Sequence, residues 1–417
     1  MPRYTTLKNR DTMSRLRELF RVLFMKIALV HELLTMRGGA ERVFKVIADM
    51  FPDAPIYTLL YDEEKLGGWF PKNRIRTSNL QNSQLSIACP SKPCLPAEAD
   101  AKAGRSGVNS QFRFNHHLYL AKFPQAVEAW DFSGFDLVIS SSSAFAHGII
   151  TNGKPKHIGY VNSPARYLWD RTHDVQNDSS RGFFGPLKRF YLERLFHKLR
   201  IWDTEAAYRA DKLLAASKTV RRRIELYWRR ESDVLYPPID DFWLAETKTT
   251  SQNPKTRNDY LVVSTLARYK KIDLAISAAN SLNIDLKIAG EGPDYSRLKR
   301  IAGPTVKFLG FVPEKELKPL YKNAKATIFP GDEDFGLVPL ESLACGTPVI
   351  AFKSGGALET LDEGITCKFF NDSNSESLIQ TIIKFEQNIY SEVECRKQAE
   401  KFSREKFEEG IRKQLRI

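Results

Sequence analysis

Short apolar runs alternate along the chain with longer segments in which apolar residues recur about every three or four positions. The short runs predict buried strands, and the longer segments predict amphipathic helices. In the first half of the chain, strands are predicted at Lys26–His31, Pro55–Leu59, Leu137–Ser140, Ile158–Val161 and Lys212–Ala216. In the second half, they are predicted at Tyr260–Ser264, Asp285–Ala289, Val306–Leu309, Ala326–Phe329 and Pro348–Phe352. Strands that alternate with helices are typical of parallel sheets, so the pattern predicts the α/β class.

The strand–helix units fall into two blocks, which predicts two doubly wound, Rossmann-like domains at residues 25–236 and 259–392. Between the two blocks, Pro237-Pro238 cannot continue a helix, and a polar run follows. We therefore expect a linker over residues 237–258.

Three further segments depart from the alternating pattern. Residues 393–417 are charged and are predicted to form a C-terminal helix that crosses back to the first domain. Residues 84–111, rich in Ser, Pro, Ala and Gly, are predicted to be an inserted surface loop. Residues 1–24 are either a disordered or amphipathic leader, or they are translated from an upstream start codon with Met25 as the functional start.

Composition places the chain among ordinary globular proteins and favours anionic partners. Hydrophobic residues make up 42% of the chain and charged residues 27%, which argues against a mostly disordered, collagenous or disulfide-stapled protein. The 63 Lys and Arg outnumber the 50 Asp and Glu, so the net charge is 63 − 50 = +13. A surplus of this size attracts nucleic acid, phosphorylated substrates or an anionic membrane surface.

The apolar and cysteine patterns predict a cytoplasmic protein. No run approaches the roughly 20 apolar residues that span a bilayer, and Arg17, Glu18 and Arg21 interrupt the N-terminal stretch that could have been a signal peptide. The five cysteines are odd in number and mostly scattered, which favours free thiols in a reducing compartment. Cys89 and Cys94 lie close together, but no second pair follows at zinc spacing, so no metal is expected.

A glycine pair follows the first predicted strand. His31-Glu32 leads into a short loop that contains Gly38 and Gly39, and a helix follows. Glycines let backbone N–H groups approach a ligand closely, and a helix N-terminus carries partial positive charge, so this turn suits a phosphate group. An ordinary strand–helix turn can contain the same residues, and the pair alone favours that simpler interpretation.

The segment Pro330–Glu341 follows a predicted strand and opens a helix in the second domain. Glu333 lies on the loop, and Glu341, eight residues later, lies about one turn into the helix. Such a pair can accept hydrogen bonds from sugar hydroxyls at two depths of one cleft. Between them, Phe335-Gly336-Leu337 offers backbone N–H groups to a negatively charged group. Two acids near a helix start often only complement the helix dipole, but the next strand and Ser354-Gly355-Gly356 favour a binding site.

The stretch FPGDEDFGLVPLESLACGTPVIAFKSGGALETL resembles the donor-site signature of the family 4 retaining glycosyltransferases, which have the GT-B fold. The E-x7-E pair of that signature matches Glu333 and Glu341. The resemblance extends over nearly the whole chain from Met25, including KIALVHELLTMRGGAERVF, KHIGYVNSPARYLWD, VLYPPID and LVVSTLARYKKIDLAI. The local sequence is most similar to the branch of bacterial O-antigen and exopolysaccharide mannosyltransferases. The resemblance therefore implies two Rossmann-like domains that face a central cleft.

The resemblance also implies roles for individual residues of the donor site. Glu341 would hold the nucleotide ribose, and Glu333 would contact the transferred sugar. Lys270, after the first strand of the second domain, would neutralise the diphosphate. Phe335, Gly336 and Leu337 would lie beside the sugar and diphosphate, and Gly38 and Gly39 would approach the donor from the first domain.

Two positions depart from the pattern of the family. Thr265 stands where relatives often carry an Arg, so either Arg268 substitutes for it or Lys270 acts alone. Asn162 stands where the family has a His that helps to position the reaction centre. Asn162 can form hydrogen bonds but cannot act as acid, base or cation, and the nearby His147 is either a second candidate for the cleft or a structural residue.

The implied activity is transfer of a sugar, mannose from GDP-mannose, with retention to a lipid-linked or growing polysaccharide acceptor. A UDP-sugar is the alternative donor. A catalytically weak protein that only binds nucleotide sugars is the alternative class, because Asn162 and Thr265 depart from the pattern. No cofactor is expected beyond the nucleotide sugar, and nucleic-acid binding is disfavoured because the basic charge accompanies no recognition motif.

The segment Arg181–Arg230 carries much of the positive charge. It holds 14 Lys or Arg against 5 Asp or Glu, together with several Phe, Tyr and Trp residues. A solvated helix face explains such a composition, and so does a patch that docks on anionic lipid headgroups. Because the implied acceptor is lipid-linked, we expect peripheral attachment to the inner face of the cytoplasmic membrane.

Overall fold

The computed structural model describes residues 25–81, 116–179, 185–245 and 257–415. The predicted extension 1–24 and the predicted loop 84–111 lie outside these residues. The chain divides into two compact units: the first holds the residues up to Leu214 together with Arg223–Ser232, and the second holds Ala215–Arg222 together with Asp233–Ile417. The observed division therefore differs from the predicted boundary at 237–258, because a short earlier segment already belongs to the second unit.

The first sheet has seven strands in the order β5-β3-β1-β6-β7-β8-β9. The neighbouring strands from β5 to β7 pair in parallel. Its strands are β1 (Ile27–His31), β3 (Ile56–Thr58), β5 (Ile75–Thr77), β6 (Leu137–Ser142), β7 (Lys156–Val161), β8 (Lys212–Ala215) and β9 (Asp233–Val234). A separate two-stranded sheet pairs β2 (Leu33–Leu34) with β4 (Leu60–Tyr61). The accompanying helices are α1 (Gly39–Met50), α2 (Glu63–Leu66), α3 (Phe123–Glu128), α4 (Thr172–Ser179), α5 (Gly185–Ala206) and α6 (Lys218–Trp228).

The second sheet has six strands in the order β12-β11-β10-β13-β14-β15, all in parallel register. Its strands are β10 (Tyr260–Val263), β11 (Leu286–Ala289), β12 (Val306–Gly310), β13 (Ala326–Phe329), β14 (Val349–Phe352) and β15 (Cys367–Phe370). The helices of this unit are α7 (Asp241–Leu244), α8 (Ile272–Leu282), α9 (Tyr295–Ile301), α10 (Glu314–Asn323), α11 (Leu337–Ala344), α12 (Ala357–Thr360), α13 (Ser375–Glu386), α14 (Glu392–Glu400) and α15 (Arg404–Leu415).

Both sheets are buried by helices, which explains the continuous apolar character of their strands. Every residue of β1 and of β6 is buried, as is every residue of β13. Strands covered on both faces lose the polar alternation of a solvent-facing sheet. All ten predicted strands occur within one or two residues of their predicted bounds.

Both sheets place their first strand in the middle, next to the fourth strand of the same sheet. In the first sheet this neighbouring pair is β1 and β6, and in the second sheet it is β10 and β13. The strand order reverses at each of these pairs, and the crevice at their carboxyl ends is where ligands bind in doubly wound folds. The fold therefore directs attention to the loops that follow these four strands.

The C-terminal region differs from its prediction as one helix over 393–417. It forms two helices, α14 and α15, because the chain turns at Phe402, which packs into the core of the second unit. Cys395 and Ala399 of α14 are also buried in that core. The expectation of one helix outside the second core is therefore wrong, because the charged residues of α14 occupy only part of its surface and Cys395 and Ala399 pack into that core.

The predicted linker likewise contributes to the second core. Within it, Trp243 on α7 is 1% exposed and packs edge-on against Tyr321, with 5.6 Å between ring centroids. Ile239 is buried in the same cluster and forms a bridge with Ser403. The part of the linker before residue 246 therefore belongs to the core of the second unit, and residues 246–256 lie outside the described residues.

We expect Trp243→Ala to destabilise the second unit by about 3–5 kcal/mol, because it leaves a large cavity against Tyr321. Phe242→Ala, at the half-buried neighbouring position, is the matched control and should cost clearly less. Urea unfolding of both variants would measure the difference. Equal, small losses of stability would contradict the placement of this segment in the core.

Candidate active site

Lys270 and Glu333 meet at the reversal point of the second sheet. Lys270 closes the turn Arg268–Lys270 after β10, and Glu333 lies on the loop after β13. The Lys270 Nζ lies 2.6 Å from Oε1 of Glu333, and both side chains are about one-fifth exposed, at 20% and 18%. The structure therefore brings together two of the predicted site residues as an ion pair that solvent and ligands can reach. Arg268 is exposed, and the contact with Glu333 is made by Lys270.

Glycines shape the loop Pro330–Gly336, named the Glu333 loop below. The N–H of Gly356 donates to the Glu333 carbonyl oxygen at 2.9 Å. A Cβ added at Gly355 would lie 2.2 Å from that carbonyl oxygen, and one added at Gly356 would lie 2.2 Å from Cα of Phe335. Because real Cβ atoms do not approach backbone so closely, the predicted Gly355-Gly356 motif is required by packing against this loop.

Glu341 lies on α11, which begins directly after the Glu333 loop. Its carboxylate accepts a hydrogen bond from the hydroxyl of Tyr321 at 2.9 Å, and the residue is 4% exposed. Gly336 precedes α11 with a φ of 83°, a conformation that favours glycine, and a Cβ there would meet the ring of Phe329. Glu341 is therefore an oriented hydrogen-bond acceptor that is more deeply buried than Glu333.

Phe335 anchors the Glu333 loop in the core. Its ring is 5% exposed and stacks on Tyr236 at 5.8 Å between centroids, with Phe402 edge-on at 5.7 Å. Beside it, the Ser354 hydroxyl donates to Oδ1 of Asp332 at 2.8 Å. The loop is thus fixed at its base while Glu333 points toward Lys270.

The loop after β10 is held from its other side by the loop after β11. A Cβ added at Gly290, whose φ is 135°, would lie 1.9 Å from the Ser264 carbonyl oxygen. One added at Gly292 would lie 2.3 Å from the carbonyl oxygen of Leu266. Backbone packs directly on backbone here, so the turn that carries Lys270 has little freedom to move.

In the first unit, Gly38 is the N-cap of α1, and its N–H donates to Oε2 of Glu41 at 3.1 Å. A Cβ at Gly38 would lie 2.5 Å from that oxygen. The contact with Glu41 therefore explains why a residue without a side chain fits at position 38. Glu41 also lies 3.9 Å from Nε2 of His31. Burial alone would lower the pKa of His31, but hydrogen bonding to Glu41 and the nearby carboxylate of Glu32 raise it.

Glu32 and Asn162 lie at the carboxyl ends of β1 and β7, the two strands that flank β6 in the first sheet. The Glu32 carboxylate accepts the N–H groups of Ser143 at 2.6 Å and Ala146 at 3.3 Å, and burial raises its pKa. Nδ2 of Asn162 donates to Oγ of Ser141 at 3.0 Å. Asn162 is therefore fixed to the end of β6, and Glu32 joins β1 to the loop that follows β6.

His147, the second candidate for the cleft, is instead a buried structural residue. It is 0% exposed and its Nδ1 lies 3.1 Å from Oγ of Ser142, while its ring stacks on Trp228. Burial lowers its pKa to about 3, so the ring is neutral. Its Nε2 lies 3.4 Å from Oδ1 of Asp203. A side chain enclosed in this way is not available to a ligand.

Asp203 is the acidic partner in this buried cluster. It is 0% exposed, and its Oδ2 accepts indole N–H groups from Trp169 at 2.8 Å and Trp228 at 2.6 Å. Burial raises the pKa of Asp203 to about 7, and the two indole bonds oppose the rise. At neutral pH the Asp203 carboxyl is therefore close to the midpoint of its titration.

Neither a metal centre nor a membrane span is found in the part of the chain that the structure describes. Its His, Cys, Asp and Glu side chains form no group of three or more that could hold a metal ion. None of its helices is long and apolar enough to cross a bilayer.

Solved structures show which fold this chain shares. The crystal structure of Anabaena HepE in complex with UDP matches with a TM-score of 0.64 and 17% identity, covering 94% of this chain and 99% of that one. The likeness at this identity concerns the fold, and it confirms the predicted GT-B fold class of parallel α/β units.

Residues 245–402 match the family model described as Glycosyl transferases group 1. This range contains Lys270, Glu333 and Glu341, so these three predicted site residues lie in the part of the chain that is similar to glycosyl transferases group 1. An uncharacterized glycosyltransferase of Methanocaldococcus jannaschii is 24% identical over 229 residues, which is 52% of this chain and 62% of that protein. A GDP-mannose-dependent alpha-(1-6)-phosphatidylinositol dimannoside mannosyltransferase of Mycobacterium tuberculosis is 40% identical over 97 residues, which is 22% of this chain and 26% of that protein. The chain thus spans less than two thirds of either relative's length.

The buried cluster predicts a pH-dependent difference between the wild type and Asp203→Asn. Because the folded-state pKa of Asp203 is raised from 3.8 to about 7, its stabilising contribution is complete below pH 4 and lost as the pH rises through 7. Relative to the variant, the wild type should therefore lose up to about 4 kcal/mol of unfolding free energy across this window. Asparagine retains an acceptor for the two indoles and cannot ionise.

Urea unfolding at several pH values between 4 and 8, followed by tryptophan fluorescence, measures this difference. His147 and His157 titrate in both proteins, so their contributions largely cancel when the two profiles are subtracted. Parallel stability profiles for the two proteins would contradict the raised pKa of Asp203.

Proposed function

We propose that this protein is a retaining hexosyltransferase that transfers a sugar from a nucleotide-sugar donor. The observation that carries the proposal is the ion pair of Lys270 with Glu333 at the reversal point of the second sheet, together with the buried carboxylate of Glu341 eight residues later in the chain. This arrangement lies inside the region that matches glycosyl transferases group 1. An arrangement of one cation and two acids at different depths suits a ligand that has a diphosphate, a sugar and a ribose.

In the proposed reaction, the bond between the anomeric carbon and the diphosphate breaks, and the electron pair leaves with the diphosphate. The acceptor oxygen forms its bond to the same face of the sugar, and its proton passes to the departing phosphate. Lys270 stabilises the charge that develops on the diphosphate, as a fixed cation does. Glu333, released from Lys270 when the donor binds, accepts hydrogen bonds from sugar hydroxyls, and Glu341 accepts those of the ribose.

The proposal retains the predicted residues of the first unit. Asn162 acts as a hydrogen-bonding catalytic residue that orients a reactant without exchanging protons. Gly38 and Gly39 bind the donor at the start of α1, where the N–H of Gly38 is shared with Glu41. In the second unit, Phe335, Gly336 and Leu337 provide backbone groups beside the donor. No metal or other cofactor takes part in the proposal.

GDP-mannose is the proposed donor, and a UDP-sugar is the second candidate. The first choice is supported by the 40% identity between a 97-residue stretch of this chain and a GDP-mannose-dependent enzyme. The second is favoured by the HepE structures, which hold UDP and UDP-glucose in a protein of the same fold. The similarity to the mannosyltransferase is one of amino-acid sequence, whereas the similarity to HepE is one of fold, so we give the mannosyltransferase the greater weight.

A lipid-linked or growing polysaccharide is the proposed acceptor, and the surface of α5 supports attachment to an anionic membrane. Exposed residues on one stripe of this helix are spaced three or four apart, so they share a face. They are Leu187, Phe190, Tyr191, Arg194, Lys198 and Ile201. The opposite side is buried and includes Phe196 and Leu199. A helix that is apolar on both sides, with cations on the outer one, fits a bilayer interface.

Variants of the donor site test the proposed reaction. Glu341→Ala should weaken GDP or UDP binding roughly 10- to 100-fold, because a hydrogen bond to a charged group contributes about 1.5–3 kcal/mol. Lys270→Ala should lower turnover about 10²–10³-fold, and Glu333→Ala should lower turnover more than nucleotide affinity. Calorimetry with GDP and UDP, and nucleotide release from GDP-mannose and UDP-glucose with and without a lipid-linked glycan, give both quantities.

Arg268→Ala is the matched control, because Arg268 is an exposed cation two residues from Lys270. It should leave turnover close to that of the wild type. If Arg268→Ala removes activity and Lys270→Ala does not, the phosphate cation is assigned to the wrong residue. If donors bind but no sugar is transferred to any acceptor, the protein belongs to the alternative class of nucleotide-sugar-binding proteins.

Vesicle cosedimentation tests the membrane surface. Binding should be strong with anionic vesicles at low salt and weak with neutral vesicles, since the attraction is screened over about 8 Å at physiological salt. The double variant Arg194→Glu with Lys198→Glu should abolish binding to anionic vesicles. The control is the double variant Lys307→Glu with Lys315→Glu, which makes the same change of charge at exposed positions of the second unit. Arg223 is unsuited to this test, because it pairs with Asp170 at 3.0 Å and is 11% exposed. Equal binding by both double variants would exclude α5 as the contact.

A further inference from the structure

The first turn of α6 is attached to the Glu333 loop through Ser217. The hydroxyl of Ser217, which is fully buried, donates to the carbonyl oxygen of Asp334 at 2.6 Å. The hydroxyl oxygen of Ser217 in turn accepts the N–H of Val220 at 3.0 Å, so Ser217 also caps the helix. Asp334 is the residue directly after Glu333. One side chain therefore joins the start of a helix to the backbone of the candidate catalytic loop.

Glu359 completes the attachment from a different element. Its carboxylate accepts the N–H of Lys218 at 2.8 Å and the N–H of Thr219 at 3.0 Å, and the Thr219 hydroxyl at 3.2 Å. The first N–H groups of a helix have no partner within the helix, and a negative charge is favoured there. Glu359 therefore binds the N-terminus of α6 with both oxygens, and the pairing is local to the second unit.

The same element that carries Glu359 also touches the Glu333 loop directly. Glu359 lies on α12, three residues after Gly356, whose N–H donates to the Glu333 carbonyl oxygen at 2.9 Å. The consecutive carbonyls of Glu333 and Asp334 are thus held by two donors, the Gly356 N–H and the Ser217 hydroxyl. The closed arrangement of loop, α12 and α6 fixes the peptide planes on both sides of Asp334, and so the direction in which the Glu333 side chain leaves the backbone.

We propose that Ser217 and Glu359 are positioning residues that hold the Glu333 loop in the orientation that places Glu333 against Lys270. Neither residue belongs to the donor-site residues assigned above, and a cap formed by Ser217 alone would already satisfy an N–H of the helix. The extra bond from Ser217 to Asp334 serves the loop rather than the helix. Their part in sugar transfer rests on the proposed function, but their hold on the loop does not.

The arrangement also couples the loop to the first turn of α6, which lies with the loop in the second unit. Because Ser217 caps this turn, a change in the Glu333 loop that moves Ser217 also moves the turn. Nucleotide binding at the loop should therefore slow amide exchange in the first turn of α6.

Hydrogen exchange on the full chain tests the proposal without any ligand. The reporter is the Gly356 amide, which donates to the Glu333 carbonyl. In Ser217→Ala, exchange of this amide should be roughly fivefold faster, as expected for the loss of one hydrogen bond, and Ser217→Thr should restore the wild-type rate. Glu359→Ala should have a similar effect, with Glu359→Gln intermediate because the amide has a single oxygen acceptor.

Ser391→Ala is the matched control. Ser391 is the N-cap of α14 in the same unit, and its hydroxyl accepts the N–H of Glu394. Removing this cap should leave the exchange of Gly356 unchanged, whereas a purely structural effect of losing any serine cap would speed exchange in both variants. Unchanged exchange of Gly356 in Ser217→Ala and in Glu359→Ala would overturn the proposal.

A second arm adds GDP or UDP at saturating concentration. Either nucleotide, once bound, should slow exchange of the Val220 amide in the wild type, and Ser217→Ala should abolish this effect. Binding that leaves Val220 unaffected in the wild type would overturn the coupling through α6. If neither nucleotide binds the wild type, the proposed function fails, while the ligand-free arm still decides the positioning role.

Discussion

The ion pair between Lys270 and Glu333 is the interaction around which the second unit is organised. It joins the loops that follow β10 and β13, the two strands at which the order of the sheet reverses, across 2.6 Å. In the absence of ligand, each charge is matched by the other, so neither is left without compensation. Under the proposed function, a diphosphate that takes over Lys270 would at the same time free Glu333 for a sugar hydroxyl group.

Backbone contact, rather than side-chain packing, sets the position of this pair. Gly290 and Gly292 allow the loop after β11 to lie against the turn that leads to Lys270, and Gly355 and Gly356 allow α12 to lie against the Glu333 loop. At these glycines, any added Cβ would come within about 2.4 Å of backbone atoms. Backbone groups have far fewer accessible positions than long side chains, which preorganises the acidic and basic groups without strain at the pair itself.

Much of this arrangement was predictable from the sequence, and the exceptions share a physical cause. The strands follow from apolar runs, and Glu333 and Glu341 from a local motif, whereas Lys270 was named only from the family resemblance. Ser217, Tyr321 and Glu359 were missed because each acts through a contact with a residue distant in the chain, which no periodicity records. A Gly-Gly-x-x-Glu spacing could have drawn attention to Glu359, and a serine after a strand could have suggested a cap at Ser217. For Tyr321, the sequence offers no comparable signal.

His147 and Glu341 show how burial affects the two roles that the sequence allows for a polar side chain. His147 had the chemistry of a catalytic residue, but Asp203, Ser142 and Trp228 enclose it, and burial lowers its pKa to about 3. Glu341 is nearly as buried at 4% exposure, and its carboxylate accepts the hydroxyl of Tyr321 at 2.9 Å. A buried polar group can bind a ligand only where the ligand can reach it. Under the proposed function, the ribose reaches Glu341 while Lys270 and Glu333 bind the diphosphate and the sugar.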